Sequence, residues 1–361
     1  MTTHDLSSGP ITLTVTPIPG PKGATGPVGP QGPVGPAGMG ASVPGGRLTL
    51  VSGAPEMPQT ADHTSTVLYY APFESDKIPL FDGTNWGSYG FTSGPFDTVG
   101  LSMSGGAAWA ANTKRDVFVT LVDGAAALCT GPAWPDETLA SRNLVRRNGL
   151  WVNGASMTCD VGIVVAANQA TWVGSINIGA TAGTLQALFT PGQNRRCDVW
   201  NLYHQREIAL CVGCPPASAS LPVVWYPNSQ YPAWQAFNND QNNSGLYFTG
   251  LPQTVECRYH QWAFINTATH GPGALIVTVC KDTLANSQGK WGNESSDTSD
   301  DFYGTTAEAV FVDRGSVGSH RAFMGVAGAN NFGGVTTIGL DPRSNWGTLD
   351  RSHSMWIRYQ G

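Results

Sequence analysis

Short runs of alternating apolar and polar residues recur along most of the chain, each bounded by Gly, Pro, Asn or Asp. They include RLTLV at 47–51, TVLYY at 66–70, DVFVTLV at 116–122 and ATWVGSIN at 170–177. Further along come LYFT at 246–249, ALIVTV at 274–279, AVFVD at 309–313 and SMWIRY at 354–359. A period of two, rich in Val, Ile, Thr and aromatics, predicts β-strands. Helical spacing surfaces briefly, over residues 136–147. The pattern predicts a mainly β chain with two β-sandwich-like units, 41–212 and 213–361. Their boundary falls in CVGCPPASASL at 211–221, whose Pro/Ala/Ser bias marks a linker.

Composition sharpens this picture. The 361 residues leave room for two ordinary domains, and 41% apolar residues are enough for real cores. Charged residues are 12%, about half the usual share. The surface is then covered by amides, hydroxyls and glycine more than by ion pairs. A net charge of −6 with no basic run argues against nucleic acid as a partner. No stretch approaches the ~20 apolar residues of a membrane span. Residues 1–10 lack the basic start and apolar run of an export signal, so synthesis and retention in a cytoplasm are expected.

Residues 20–40 read GPKGATGPVGPQGPVGPAGMG. Glycine recurs without a miss at Gly20, Gly23, Gly26, Gly29, Gly32, Gly35 and Gly38. Pro fills the second place of five of the six full triplets. This is the Gly-X-Y pattern of a collagen triple helix, where three polyproline-II chains leave space at the axis for a hydrogen side chain alone. A flexible Pro/Gly linker, the alternative, needs no such phase. The pattern predicts a homotrimer in parallel register. At ~3 Å per residue, six triplets span on the order of 55 Å. The third place never holds Pro, so the stalk is weak alone and needs a trimerising domain, expected in 41–212, to concentrate its chains.

Residues 1–19 are too few for a domain but contain an alternating run, ITLTV at 11–15. Such a strand can add to the sheet edge of a partner, and 1–19 is read as an anchor. A frayed terminus is the alternative.

An anchor strand, a few Gly-X-Y triplets and a β-rich remainder resemble the collagen-containing fibres of tailed bacteriophages. RLTLVSG at 47–53, TVLYYAPF at 66–73, IPLFDG at 78–83 and DVWNLYH at 198–204 are similar to recurring sequences of phage tail-fibre-type proteins. The resemblance implies a structural, host-contacting fibre in the virion, assembled in the host cytoplasm and joined to another virion protein through 1–19. It carries over no catalytic residue. A capsid or tail decoration fibre with non-specific adhesion is the alternative, and a bacterial surface collagen-like protein is a third reading.

The chemistry-bearing motifs are few. There is no GxSxG, HExxH or Walker loop, and no internal repeat of a β-helix, so no enzyme is expected. Seven cysteines, an odd number in a long chain, predict no disulfide framework. Cys211 and Cys214 have the spacing of half a zinc site with no second half, so neither metal nor cofactor is expected. Residues 294–301 hold Glu294, Asp297, Asp300 and Asp301 among four hydroxyls, and read either as a calcium loop or as a solvated one. Residues 221–247 interleave aromatics with amides. Trp225, Tyr226, Tyr231, Trp234, Asn238, Asn239 and Asp240 are the receptor-binding candidates, because flat rings pack against sugar C–H faces while amides and carboxylates take the hydroxyls. The same aromatics read equally as core residues.

Overall fold

The computed structural model describes residues 43–91, 99–102, 109–159, 162–190, 195–212, 224–227, 235–236, 244–267, 273–282, 287–295, 303–330, 336–340 and 353–361. The chain divides into Met1–Gly38 and Met39–Gly361, and all the described residues belong to the second unit. The seven glycines of the Gly-X-Y run therefore lie outside the described residues.

The fold is mainly β. Each of the eight alternating runs overlaps a strand, from Gly46–Thr49 and Val67–Pro72 to His353–Gln360, and Ala170–Asn177 matches residue for residue. A six-stranded sheet has the order Ala125–Ala133, Lys114–Val122, Ala170–Asn177, Leu150–Asn153, Leu144–Arg147, with Val199–Asn201 also paired to Ala170–Asn177. A twelve-stranded sheet is centred on two long antiparallel partners, Ser244–Thr267 and Tyr303–Asn330. Residues from both sides of the expected 211–221 boundary share this sheet. Arg195–Cys197 pairs in parallel with Ser244–Thr267, and Glu207–Val212 pairs antiparallel with His353–Gln360.

The strand Ala170–Asn177 is buried along its whole length. Period-two alternation is lost because both of its faces are covered. Ala170 and Trp172 join one apolar cluster, with Phe118, Trp200 and Phe248. Val173 and Ile176 join the larger one, with Leu48, Val117 and Tyr247. Residues three apart share a face here because a β-bulge interrupts the register between Trp172 and Gly174.

Residues 136–147 form no α-helix, which corrects the expectation of helical periodicity there. Asp136 Oδ1 accepts from the Thr138 amide (2.7 Å), the Thr138 hydroxyl (2.6 Å) and the Ser141 hydroxyl (2.7 Å). Such local bonds compete with a helix. A single 3-10 turn, Ala140–Arg142, ends at Asn143 with φ of 51°. Leu144–Arg147 then turns back on Leu150–Asn153 through Asn148 and Gly149, both at positive φ, the Asn-Gly signature of a tight hairpin.

The cysteine expectation is also corrected. Cys129 and Cys159 form a disulfide, with Cα atoms 5.4 Å apart. Both sulfurs sit in the Trp172–Trp200 cluster, where distant segments converge, a proximity that cysteine count and spacing do not encode. Cys197 and Cys257 are free and buried. Burial pushes the Cys197 thiol up to about 12, so it stays protonated and inert.

Candidate functional site

The receptor-binding candidates are mostly beyond what the structure describes. Trp225 and Tyr226 lie on the strand Val224–Pro227, opposite Gly339 and Ile338. Their side chains lie outside the described residues, as do Tyr231, Trp234, Asn238, Asn239 and Asp240 altogether. Glu294 lies on the strand Ser287–Ser295 opposite Ala274, whereas Asp297, Asp300 and Asp301 lie outside the described residues. Among the described residues, no cluster of three or more His, Cys, Asp or Glu side chains is placed to hold a metal ion.

Described residues line two clefts of note, among others. The first, of about 330 Å³, is lined by Phe118, Pro132, Trp134, Pro135, Asn153 and Met157 above a buried ion pair, Asp116 and Arg142. The Arg142 guanidinium carbon lies 3.8 Å from the Trp134 ring centroid and 4.8 Å from that of Trp172. Its nitrogens are engaged within the protein: Nε donates to Asp116 Oδ2 at 2.9 Å and Nη1 donates to the Gly250 carbonyl at 2.5 Å. The Ser175 hydroxyl donates to Asp116 Oδ1 at 2.8 Å. Burial pushes the Asp116 carboxyl up, and Arg142 and Ser175 pull it back. The polar floor is thus satisfied internally. It fastens the turn 140–142 to the sheet rather than presenting charge to a ligand.

The second cleft, of about 530 Å³, is polar. Three strands build its floor by register alone. Arg196 is the parallel partner of Leu246, and Leu246 is the antiparallel partner of Arg321. Residues opposite one another on neighbouring strands share a face, so Arg196 and Arg321 stand on either side of Leu246, their backbones two strand spacings, roughly 10 Å, apart. Lys114 and Asn177, another register pair, stand at the wall with Asn112, Gln186 and Ser319.

Each cation is positioned by the protein. Arg196 donates through Nε (2.9 Å) and Nη2 (2.5 Å) to Asp198 Oδ1, which also accepts from Asn177 Nδ2 at 3.1 Å. Asp198 Oδ2 accepts from the Gln186 amide at 2.8 Å. Burial pushes the Asp198 carboxyl up to about 6, against the pull of Arg196. Gly179 makes room: a Cβ there would sit 2.7 Å from both Nη atoms of Arg196. Lys114 Nζ lies 2.8 Å from Glu137 Oε1. Arg321 donates from Nη1 to the Ser244 hydroxyl at 2.9 Å. Burial first, and then the like charge of Arg196, lower the Arg321 pKa.

Sequence reading missed this cleft. Lys114, Arg196 and Arg321 belong to segments far apart in the chain, and no local motif links them. The stretch Arg195-Arg196-Cys197-Asp198, a basic pair with an acid two residues on, was the local signal.

Comparison with known proteins adds no family. No family model matches the chain, and no curated protein matches it. Among solved structures, it is similar to one of infectious bursal disease virus, Gx strain, at 10% identity, over 83% of this chain and 76% of that one, with a TM-score of 0.24. A second, of the Gt strain of that virus, has 9% identity over 85% and 82%, with a TM-score of 0.15. At these TM-scores the likeness carries no argument about fold or function.

Proposed function

We propose that the chain is a structural, trimeric fibre protein of a bacteriophage virion, a tail fibre whose β-rich body contacts a glycan on the host surface. The observation that carries this reading is the unbroken glycine period from Gly20 to Gly38. That phase has a physical use where three chains share an axis. A mainly β body downstream is what such a stalk would present at its end. In this reading residues 1–19 join another virion protein, residues 20–40 form the stalk, and the remainder trimerises and binds, without catalysis. Three copies on one stalk would turn weak contacts into firm attachment through effective concentration.

Light scattering on the full chain tests the trimer. A mass near three chains is expected, and Gly29→Ala is expected to lower the melting temperature of the triple-helical circular dichroism signal. A monomer at all concentrations would sink the reading. Immunogold labelling of virions separates a tail fibre from a head decoration fibre, and antibody blocking of adsorption tests the host contact.

A further inference from the structure

The polar cleft has a chemistry of its own. Its floor carries Arg196 and Arg321 in one register row, and its wall carries Lys114. Among the described residues the lining holds three cations and no carboxylate. The partners that hold Arg196 and Lys114, Asp198 and Glu137, pair with them from outside that lining. Two guanidinium groups facing one space repel, and an anion between them removes that cost. Guanidinium forks match the planar oxygens of carboxylate and phosphate.

The rest of the lining restricts the ligand. Among the described residues no aromatic lines the cleft, so they give a nucleobase no stacking platform. Asn112, Thr181, Gln186 and Ser319 instead offer neutral groups suited to hydroxyls, and Leu246 and Ile178 offer aliphatic contact to C–H faces. The volume of about 530 Å³ lies within the ~300–1,000 Å³ of small-molecule sites. Preorganisation is already present, because the buried Asp198 and the missing side chain at Gly179 fix the Arg196 guanidinium before any ligand arrives.

We propose that this cleft binds a saccharide bearing a negatively charged group, a carboxylate or a phosphate, held between Arg196 and Arg321 with Lys114 at the rim. The inference rests on the cleft alone and stands whether or not the chain is a fibre.

Calorimetric titration of the full chain with glucuronate, glucose 6-phosphate, glucose and inorganic phosphate tests it. At least one of the two anionic sugars is expected to bind with a Kd of about 1 mM or tighter, and which one it is distinguishes carboxylate from phosphate. Glucose and inorganic phosphate are expected to bind about tenfold more weakly or worse. Raising the salt should weaken the anionic sugar. Arg321→Gln should lose about tenfold in affinity, and Arg321→Lys should recover part of it. Should Arg321→Gln melt early, Lys114→Gln, at the rim, is read instead, with a smaller loss expected. Absence of binding by both anionic sugars overturns the proposal. So does inorganic phosphate binding as tightly as either sugar, which would mean an anion site only, or equal affinity in the folded variants and the parent chain.

Discussion

Arg142 and Asp116 form a two-point ion pair out of contact with water: Nε meets Oδ2 at 2.9 Å, Nη2 meets Oδ1, and the side chains are 0% and 5% exposed. The same guanidinium reaches the Gly250 carbonyl, tying the turn 140–142 to the long strand Ser244–Thr267. Removing one partner leaves a charge in the interior. Arg142→Met is expected to destabilise the protein by about 3–5 kcal/mol, read from urea unfolding monitored by tryptophan fluorescence. Changing Asp116 to Asn in the same background should restore part of that loss, because the stranded carboxylate is removed.

The Cys129–Cys159 disulfide closes a loop with a sequence separation of 30. Joining those positions restricts the unfolded chain, an effect worth about 2–4 kcal/mol. Cys129→Ser/Cys159→Ser is expected to unfold at correspondingly lower urea. Reductant should shift the parent chain toward the double variant and leave that variant unmoved.

His320 supplies a pH dependence. Its Nδ1 lies 2.9 Å from Asp282 Oδ2 and its Nε2 lies 3.0 Å from the Val317 carbonyl, so both ring nitrogens face acceptors and the charged ring satisfies both. Burial and Lys281 push the ring down; the hydrogen bond and charge of Asp282 outweigh them and raise its pKa above the ordinary 6.5. Glu137, at 3.9 Å, also faces the ring. A raised folded pKa means the contribution is complete below 6.5 and is lost as pH rises through the folded value. The Asp282 carboxyl is itself held below its usual 3.8, so its share is present above that value and lost as pH falls through the lowered one. Urea midpoints should therefore fall on raising the pH from 6 to 8, and His320→Gln should flatten that fall. An unchanged slope in His320→Gln would place the titrating group elsewhere.

Gly250 has no room for a side chain. A Cβ there would lie 2.8 Å from Trp200 Cδ2, in an indole that is fully buried and bonded through Nε1 to the Gln360 carbonyl at 3.1 Å. Gly250→Ala is expected to cost about 1–3 kcal/mol by forcing the ring from its rotamer. Near-ultraviolet circular dichroism should change in the same variant, since Trp200 packs 5.8 Å from Trp172.

The candidate site was far less legible than the fold. Lys114, Arg196 and Arg321 are single residues on separate strands, and nothing near each one marks it for the others. Strand register brings Arg196 and Arg321 to either side of Leu246, and register depends on which strands pair, a long-range outcome. The aromatic run at 221–247 was the conspicuous local feature, and its side chains lie outside the described residues up to Ser244.

By itself the sequence determined where strands form, because alternation, β-branching and flanking turn residues are local properties. Asn148-Gly149 set a hairpin for the same reason: its turn needs two positive φ values that these residues adopt at low cost. Tertiary structure alone decided the Cys129–Cys159 bond, the bulge that puts Val173 and Ile176 on one face, and the convergence of three cations on one cleft. Each of these is a meeting of residues distant in the chain or a shift of register between strands. Burial of apolar surface drives such meetings without directional preference, so no short stretch of sequence encodes which partners come together.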